Sequence, residues 1–279
     1  MTIYAAEYYT FFLVIQGAAL LGLLTGAIGV FALLRQQSLL GDALSHAAFP
    51  GIVIMFLLTY SKNSWLLLIG GACIGLLGIV FMNYVVRYTS LKKDAILGIV
   101  LSVFFGFGLV LMTIAQKVAG DKQIILNKFL FGNVATLLPS DIITIACITI
   151  ISIIALTLCW KECIISMVDP IFSRTIGISH IYVECIIICL LLTAILIGLQ
   201  TIGIVLMSTM LIAPAAAARQ WVTRMPTMIC LAGFFGSLSA VTGVIISAHV
   251  DHLPTGPTIV VVASGIVLIS LLCGKRRTF

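Results

Sequence analysis

The side chains best suited to chemistry lie in Gly41-Asp42-Ala43-Leu44-Ser45-His46, at the mouth of an apolar run. Asp42 and His46 are four residues apart, so a helix places a carboxylate and an imidazole on one face, one turn from each other. Pro50 follows His46 by four more. Proline has no N–H, so the His46 carbonyl loses its helical donor. One turn therefore offers a carboxylate oxygen, an imidazole nitrogen and a freed carbonyl oxygen. Those are ligands for borderline or hard divalent cations such as Mn2+, Fe2+ and Zn2+. Inside a membrane such groups are costly and line a pathway or a site. Two simpler readings stand beside this one: Asp42 as a carboxylate favouring a first helical turn, and His46 as a packed neutral imidazole. Two ligands from one chain make an open site, which symmetry can complete with a second pair.

Other residue groups carry weaker signals. His249, Asp251 and His252 lie together near the end of an apolar run, where they read either as an entrance that catches cations or as a solvated loop. His180 and Glu184 sit at i, i+4 spacing, the arrangement of an ordinary interfacial pair or of an exit for an ion. Met207 and Met210 are soft donors by chemistry and gap-fillers by habit. Eight cysteines are scattered, none in a CxxC. Cys159/Cys163 and Cys185/Cys189 have helical spacing, but buried thiols in apolar helices usually pack as small hydrophobes, and no disulfide is assigned. No Gly-x-x-x-x-Gly-Lys-Ser/Thr occurs, so the chain is not expected to hydrolyse ATP itself. Energy must come from a partner or an ion gradient.

The elements that position these residues are membrane helices. Mean hydropathy is +1.26, with 62% hydrophobic and only 9% charged residues, whereas a soluble domain carries roughly 25% charged. The chain reads as an all-α, polytopic transmembrane bundle. Met1 to Gln16 lacks a basic start and contains Glu7, so the first run reads as a span and not as a cleaved signal peptide. Breaks at charges and turn residues give nine spans of about 20 residues: Thr10–Leu34, Asp42–Thr59, Trp65–Val86, Ala95–Ala115, Ile142–Trp160, Ile181–Leu199, Ile202–Ala218, Met225–Ala248 and Thr258–Cys273. Only Gln200 and Thr201 separate the sixth from the seventh, and one broken element there would give eight. With nine spans and the N-terminus outside, Arg35, Arg87, Lys92, Lys93, Lys161, Arg174, Arg219, Arg224 and Lys275 to Arg277 gather on the cytosolic side. Lys62, Lys117, Lys122 and Lys128 stay outside. That asymmetry follows the positive-inside rule and places the C-terminus in the cytosol. The net charge of +6 thus argues for orientation, not for nucleic acid. Glycines at helical spacing, Gly22/Gly26 and Gly71/Gly75, read as close helix packing.

Two loops are long. The outer one, 116–141, includes Phe129-Leu130-Phe131-Gly132-Asn133, read as a short surface helix. The inner one, 161–180, contains a helix with Asp169 as N-cap, Pro170 in the first turn and Gly177 as its stop. A helix that short is marginal alone; it reads as a docking element for a cytosolic subunit, or more simply as a surface turn.

Four pieces now stand in order: Gly41-Asp42-Ala43-Leu44-Ser45-His46-Ala47, Leu130-Phe131-Gly132-Asn133, the loop from Asp169 to Gly177, and Leu211-Ile212-Ala213-Pro214-Ala215-Ala216. In these the chain resembles the membrane permease subunits of bacterial ABC importers for manganese, zinc or iron. The first piece is the specific one, and the four cover nearly the full length. More distantly, the helix order is similar to that of cobalamin and iron–siderophore permeases, with one N-terminal span fewer. The resemblance implies a single transmembrane permease domain over 1–279 in the bacterial cytoplasmic membrane. It implies a pathway between two permease subunits, identical or not, each resting on a separate ATP-binding cassette subunit, and an extracellular metal-binding protein. It implies that Asp42 and His46 bind the transported ion, and that Asp169, Arg174 and Gly177 belong to the helix that receives the ATPase's motion. No catalytic residue and no resident cofactor are expected. The ligand-rich outer stretch His249 to His252 departs from the family's pattern. Competing classes are a permease for a chelated metal or organic cofactor, a gradient-driven secondary transporter, for which no second mid-span acid is present, and a membrane scaffold.

Overall fold

The structure, a computed structural model, describes residues 2–35, 38–60, 63–119, 132, 137, 139–250 and 253–274. Among them every regular element is helical: α1 (Thr2–Leu34), α2 (Ser38–Thr59), α3 (Ser64–Tyr88), α4 (Lys93–Ala119), α5 (Pro139–Leu158), α6 (Trp160–Val168), α7 (Pro170–Thr175), α8 (His180–Thr201), α9 (Ile204–Arg219), α10 (Met225–His249) and α11 (Thr255–Cys273). Eight of the described helices are long and apolar enough to cross a membrane. The expected seventh span is the shorter α9, of 16 residues.

α8 and α9 are two helices and not one long element. Gly203 has φ +90°, a left-handed conformation that ends helices and suits glycine. The N–H groups of Ile202 and Gly203 both donate to the Gly198 carbonyl. The Met207 sulfur lies against Gly198, although nine residues of unbroken helix would rise about 13 Å. The chain therefore turns back at the glycine.

The chain divides into two compact units. One comprises Met1–Gln36, Val134–Ala194 and Thr209–Phe279. Its axis is the crossing of α1 and α10, where a Cβ on Gly22 would strike the Gly236 carbonyl and one on Gly26 the Ala232 carbonyl. In lipid, hydrophobicity gives helices no drive to associate, so close backbone approach at small residues supplies the packing. The other unit comprises Gln37–Asn133 and Ile195–Ser208. Here α2 is the central strut: Gly51 meets Gly70 of α3, and the Phe49 ring fills the space over Gly108 of α4. Ala47, Ala48, Phe49, Ile52, Val53 and Phe56 are fully buried. A helix that is apolar all round can be buried in this way, and that burial fixes the turn bearing Asp42 and His46.

The loops differ from the sequence expectation in two respects. The fifth span stops at Leu158, and Trp160 begins the separate helix α6, so the inner loop 161–180 is mostly helix. In the outer loop 116–141, α4 continues to Ala119. Gly132, at φ +74°, packs against the Thr201 and Ile202 carbonyls at the end of α8. Leu130, Phe131 and Asn133, and with them the expected surface helix, lie outside the described residues.

Candidate metal centre

α2 begins at Ser38, with no acid in its first turn, so Asp42 is not a first-turn stabiliser. It sits a turn further in, and its side chain is 28% exposed against 11% for His46. The two groups face each other, His46 Nε2 standing 3.3 Å from Asp42 Oδ1. The Ser45 hydroxyl is committed elsewhere, donating to the Asp42 carbonyl at 2.8 Å.

Phe105 of α4 holds the imidazole from the side, with ring centroids 4.4 Å apart at 76°, and Phe49 lies 6.2 Å from Phe105. This edge-to-face packing is a favourable aromatic arrangement. His46 Nδ1 is buried and has no hydrogen-bond partner among the described residues. Buried polar atoms nearly always have one, and an exception calls for a reason. With Nε2 facing the carboxylate, an Nε2–H tautomer donates to Asp42 and leaves the Nδ1 lone pair free. The same stretch of α2 carries the His46 carbonyl, which Pro50, inside the helix, leaves without a helical donor.

The other sequence candidates are dispersed. Among the described residues no group of three or more His, Cys, Asp or Glu is placed to hold a metal. His249 is exposed, and its Nδ1 bonds the Ile245 carbonyl of its own helix at 2.8 Å; Asp251 and His252 lie outside the described residues. Met207 and Met210 are fully buried and fill helix contacts, Met210 lying 4.0 Å from the Ser239 hydroxyl. The His180 side chain is outside the described residues, and Glu184 pairs with Arg35 at 4.0 Å. Burial pulls the Arg35 guanidinium below its usual value while Glu184 pushes back. That pairing joins distant parts of the sequence and left no local signal. Burial, reinforced by Cys159, pushes the Cys163 thiol up to about 11, so it is a thiol and not a thiolate ligand at neutral pH.

In the inner loop, the Asp169 carboxylate accepts the N–H groups of Ile171 at 3.0 Å and Phe172 at 2.9 Å, and Pro170 occupies the first turn of α7. At the other end Gly177 has φ +84° with open space around it, and the Ile178 N–H reaches back to the Ser173 carbonyl. Gly177 is thus needed for its backbone angle and not for room. α7 turns Ile171, Phe172 and Ile176 outward, Ile171 being 78% exposed, and Arg174 is exposed beside them.

Against known proteins, the profile of the ABC 3 transport family matches residues 7–274. The zinc transport system membrane protein TroC of Treponema pallidum is 44% identical over 96% of this chain and 90% of its own. The manganese transport system membrane protein MntC of Bacillus subtilis is 40% identical over 95% of this chain, which spans 61% of that protein's length. Among solved structures, PsaBC from Streptococcus pneumoniae in complex with Fab superposes with a TM-score of 0.84, at 28% identity, over 95% of this chain and 91% of the other. A second solved ABC transporter, in an inward-facing conformation, gives a TM-score of 0.70 over 93% and 84% of the two chains, and at 15% identity that likeness concerns the fold alone.

Proposed function

The chain belongs to the ABC 3 transport family, and from that premise we propose that this multi-pass membrane protein is the permease of an ATP-binding cassette importer for manganese or zinc. The observation that carries the reading is the Asp42–His46 pair, two metal-ligating side chains facing each other on a mostly buried turn. Relatives named for zinc and manganese transport support the same substrate class, and ferrous iron shares its ligand chemistry.

In this reading the ion is substrate. With no ion present the carboxylate and the imidazole satisfy each other. An arriving dication replaces that contact, taking an Asp42 oxygen, a His46 nitrogen and the His46 carbonyl. A protonated imidazole cannot ligate, so acid conditions oppose loading. One chain leaves the coordination sphere incomplete, which allows release and invites a second permease subunit to add donors. Residues 1–279 act as a single permease domain in the bacterial cytoplasmic membrane. An extracellular metal-binding protein delivers the ion, with His249, Asp251 and His252 as a catchment at the entrance. α7 docks into a cleft of a separate ATPase subunit through Ile171, Phe172 and Ile176. Asp169 and Gly177 fix its ends and Arg174 offers a cation to an acidic rim. ATP-driven closure of the ATPase pair then rocks the permeases between outward- and inward-open states. α9, the seventh span in chain order, brings the number of spans to nine, with the N-terminus outside and the C-terminus in the cytosol.

The test is uptake of radiolabelled Mn2+, Zn2+ and Fe2+ by vesicles carrying the full complex, with and without ATP. ATP-dependent accumulation is expected; uptake driven by a proton or sodium gradient alone overturns the reading. For the topology, single cysteines at Thr2 and Thr278 in a cysteine-free background should react with an impermeant thiol reagent from opposite sides. Labelling from one side excludes nine spans.

A further inference from the structure

A hydrophobic groove of about 720 Å³ opens between α1, α5 and α10. Its floor is Ala27, Leu156 and Ile229, all buried, widened where Gly233 has no side chain. Ile153, Trp160 and Phe234 form its walls. Along α10 the lining runs from Pro226 to Ser237, about 16 Å of helix at ~1.5 Å per residue. Half of a ~30 Å hydrocarbon core is about 15 Å, so the groove is one leaflet deep.

Its shallow end coincides with the ends of two spans, since α5 stops at Leu158 and α10 starts at Met225. Trp160 stands in that mouth, as tryptophans do at the membrane–water boundary. Lys161 directly follows Trp160, and Arg224 lies two residues before Pro226. Both are exposed, and neither pairs with a carboxylate among the described residues. Lipid in general contact with a bundle asks for neither a concave floor nor cations at its head. An apolar slot of leaflet depth, with two exposed cations close in the chain to the residues at its end, complements one acyl chain beneath an anionic headgroup.

We propose that this groove binds an anionic phospholipid, its acyl chain along Ala27, Ile229 and Phe234 and its phosphate between Lys161 and Arg224. The inference stands apart from the metal site and from the choice of ion. The bound lipid seals the seam between the α1–α10 crossing and α5, just where α5 hands the chain to α6 and the inner loop.

Full-length protein with Trp65→Phe and Trp221→Phe keeps Trp160 as its sole tryptophan, since the chain has three. In phosphatidylcholine vesicles, a small fraction of brominated phosphatidylglycerol is compared with the same fraction of brominated phosphatidylcholine as quencher of Trp160. Each basic residue near the surface favours an anionic lipid roughly fivefold, so at least about a tenfold preference for phosphatidylglycerol is expected. Lys161→Gln with Arg224→Gln should reduce that preference to near unity, whereas Lys161→Arg with Arg224→Lys should keep it. Cys230→Phe, which fills the groove without touching the cations, should weaken quenching by both lipids. Equal quenching by the two lipids with the cations intact, or full quenching in Cys230→Phe, overturns the proposal.

Discussion

Asp42 and Asp169 stand in similar local contexts, each an acid close ahead of apolar helix, yet the structure gives them opposite conditions. Asp169 is the N-cap of α7, exposed, and one of its oxygens already accepts two backbone N–H groups. Asp42 lies inside α2, where backbone N–H groups are occupied by the helix itself. Among the described residues its side chain faces His46, at 3.3 Å. A carboxylate satisfied by its own helix builds structure. One that faces an imidazole in a mostly buried turn is the one proposed to bind the ion. The placement of the acid relative to the helix start, and not its residue type, separates the two.

The sharpest way to break this comparison is to neutralise each acid without changing its shape. Asp42→Asn keeps the volume but removes the charge and an anionic ligand, so ATP-dependent uptake of radiolabelled Mn2+ or Zn2+ should fall to background, and His46→Ala should do the same. Assembly with the ATPase, followed by size-exclusion chromatography, should be unchanged. Wild-type uptake in both variants returns the pair to a packing role.

The next largest effect is expected at the far end of α7. Gly177→Val forces a β-branched residue into a left-handed angle, a strain of about 1–2 kcal/mol or more. Transport should drop several-fold while metal binding by the permease persists. Intact coupling of ATP hydrolysis to transport in this variant makes the loop a mere connector.

Asp169 provides the milder half of the contrast. Asn caps a helix as well as Asp does, so Asp169→Asn should leave uptake near wild type, opposite to Asp42→Asn. Asp169→Ala removes the cap, costs about 1 kcal/mol, and should speed amide exchange at Ile171 and Phe172. Equal losses for Asp42→Asn and Asp169→Asn erase the distinction.

The smallest effect concerns Cys163 at the head of the inner loop. Because burial, the largest cause, pushes its thiol up and the thiolate is the reactive species, a variant keeping only Cys163 should be alkylated slowly at pH 8 and faster at more alkaline pH. Rapid labelling at pH 8 contradicts the burial.

Much of this is legible in the sequence. Apolar runs about one membrane thickness long announce spans, and the four-residue step from Asp42 to His46 already places both groups on one face. The Asp169-Pro170 start and the Gly177 stop could be read because capping chemistry is local. α6 was missed because a nine-residue helix bearing Lys161 and Glu162 has neither the length nor the unbroken apolarity of a span. The Arg35–Glu184 pair and the Phe105 ring against His46 could not be read, since nothing near either residue in the chain signals its partner.

The sequence by itself determined a helical membrane protein, the turn that carries a carboxylate and an imidazole on one face, and the capped loop. Hydropathy, i, i+4 spacing and capping are each properties of a few neighbouring residues. Tertiary structure alone decided that the chain turns at Gly203 so that Met207 meets Gly198, that Phe105, backed by Phe49, packs on the imidazole while Nδ1 has no partner among the described residues, and that α1, α5 and α10 leave a leaflet-deep groove. Those outcomes depend on which faces of separate helices meet. In a chain that is apolar almost everywhere, hydropathy distinguishes faces poorly, and close packing at small residues makes the choice.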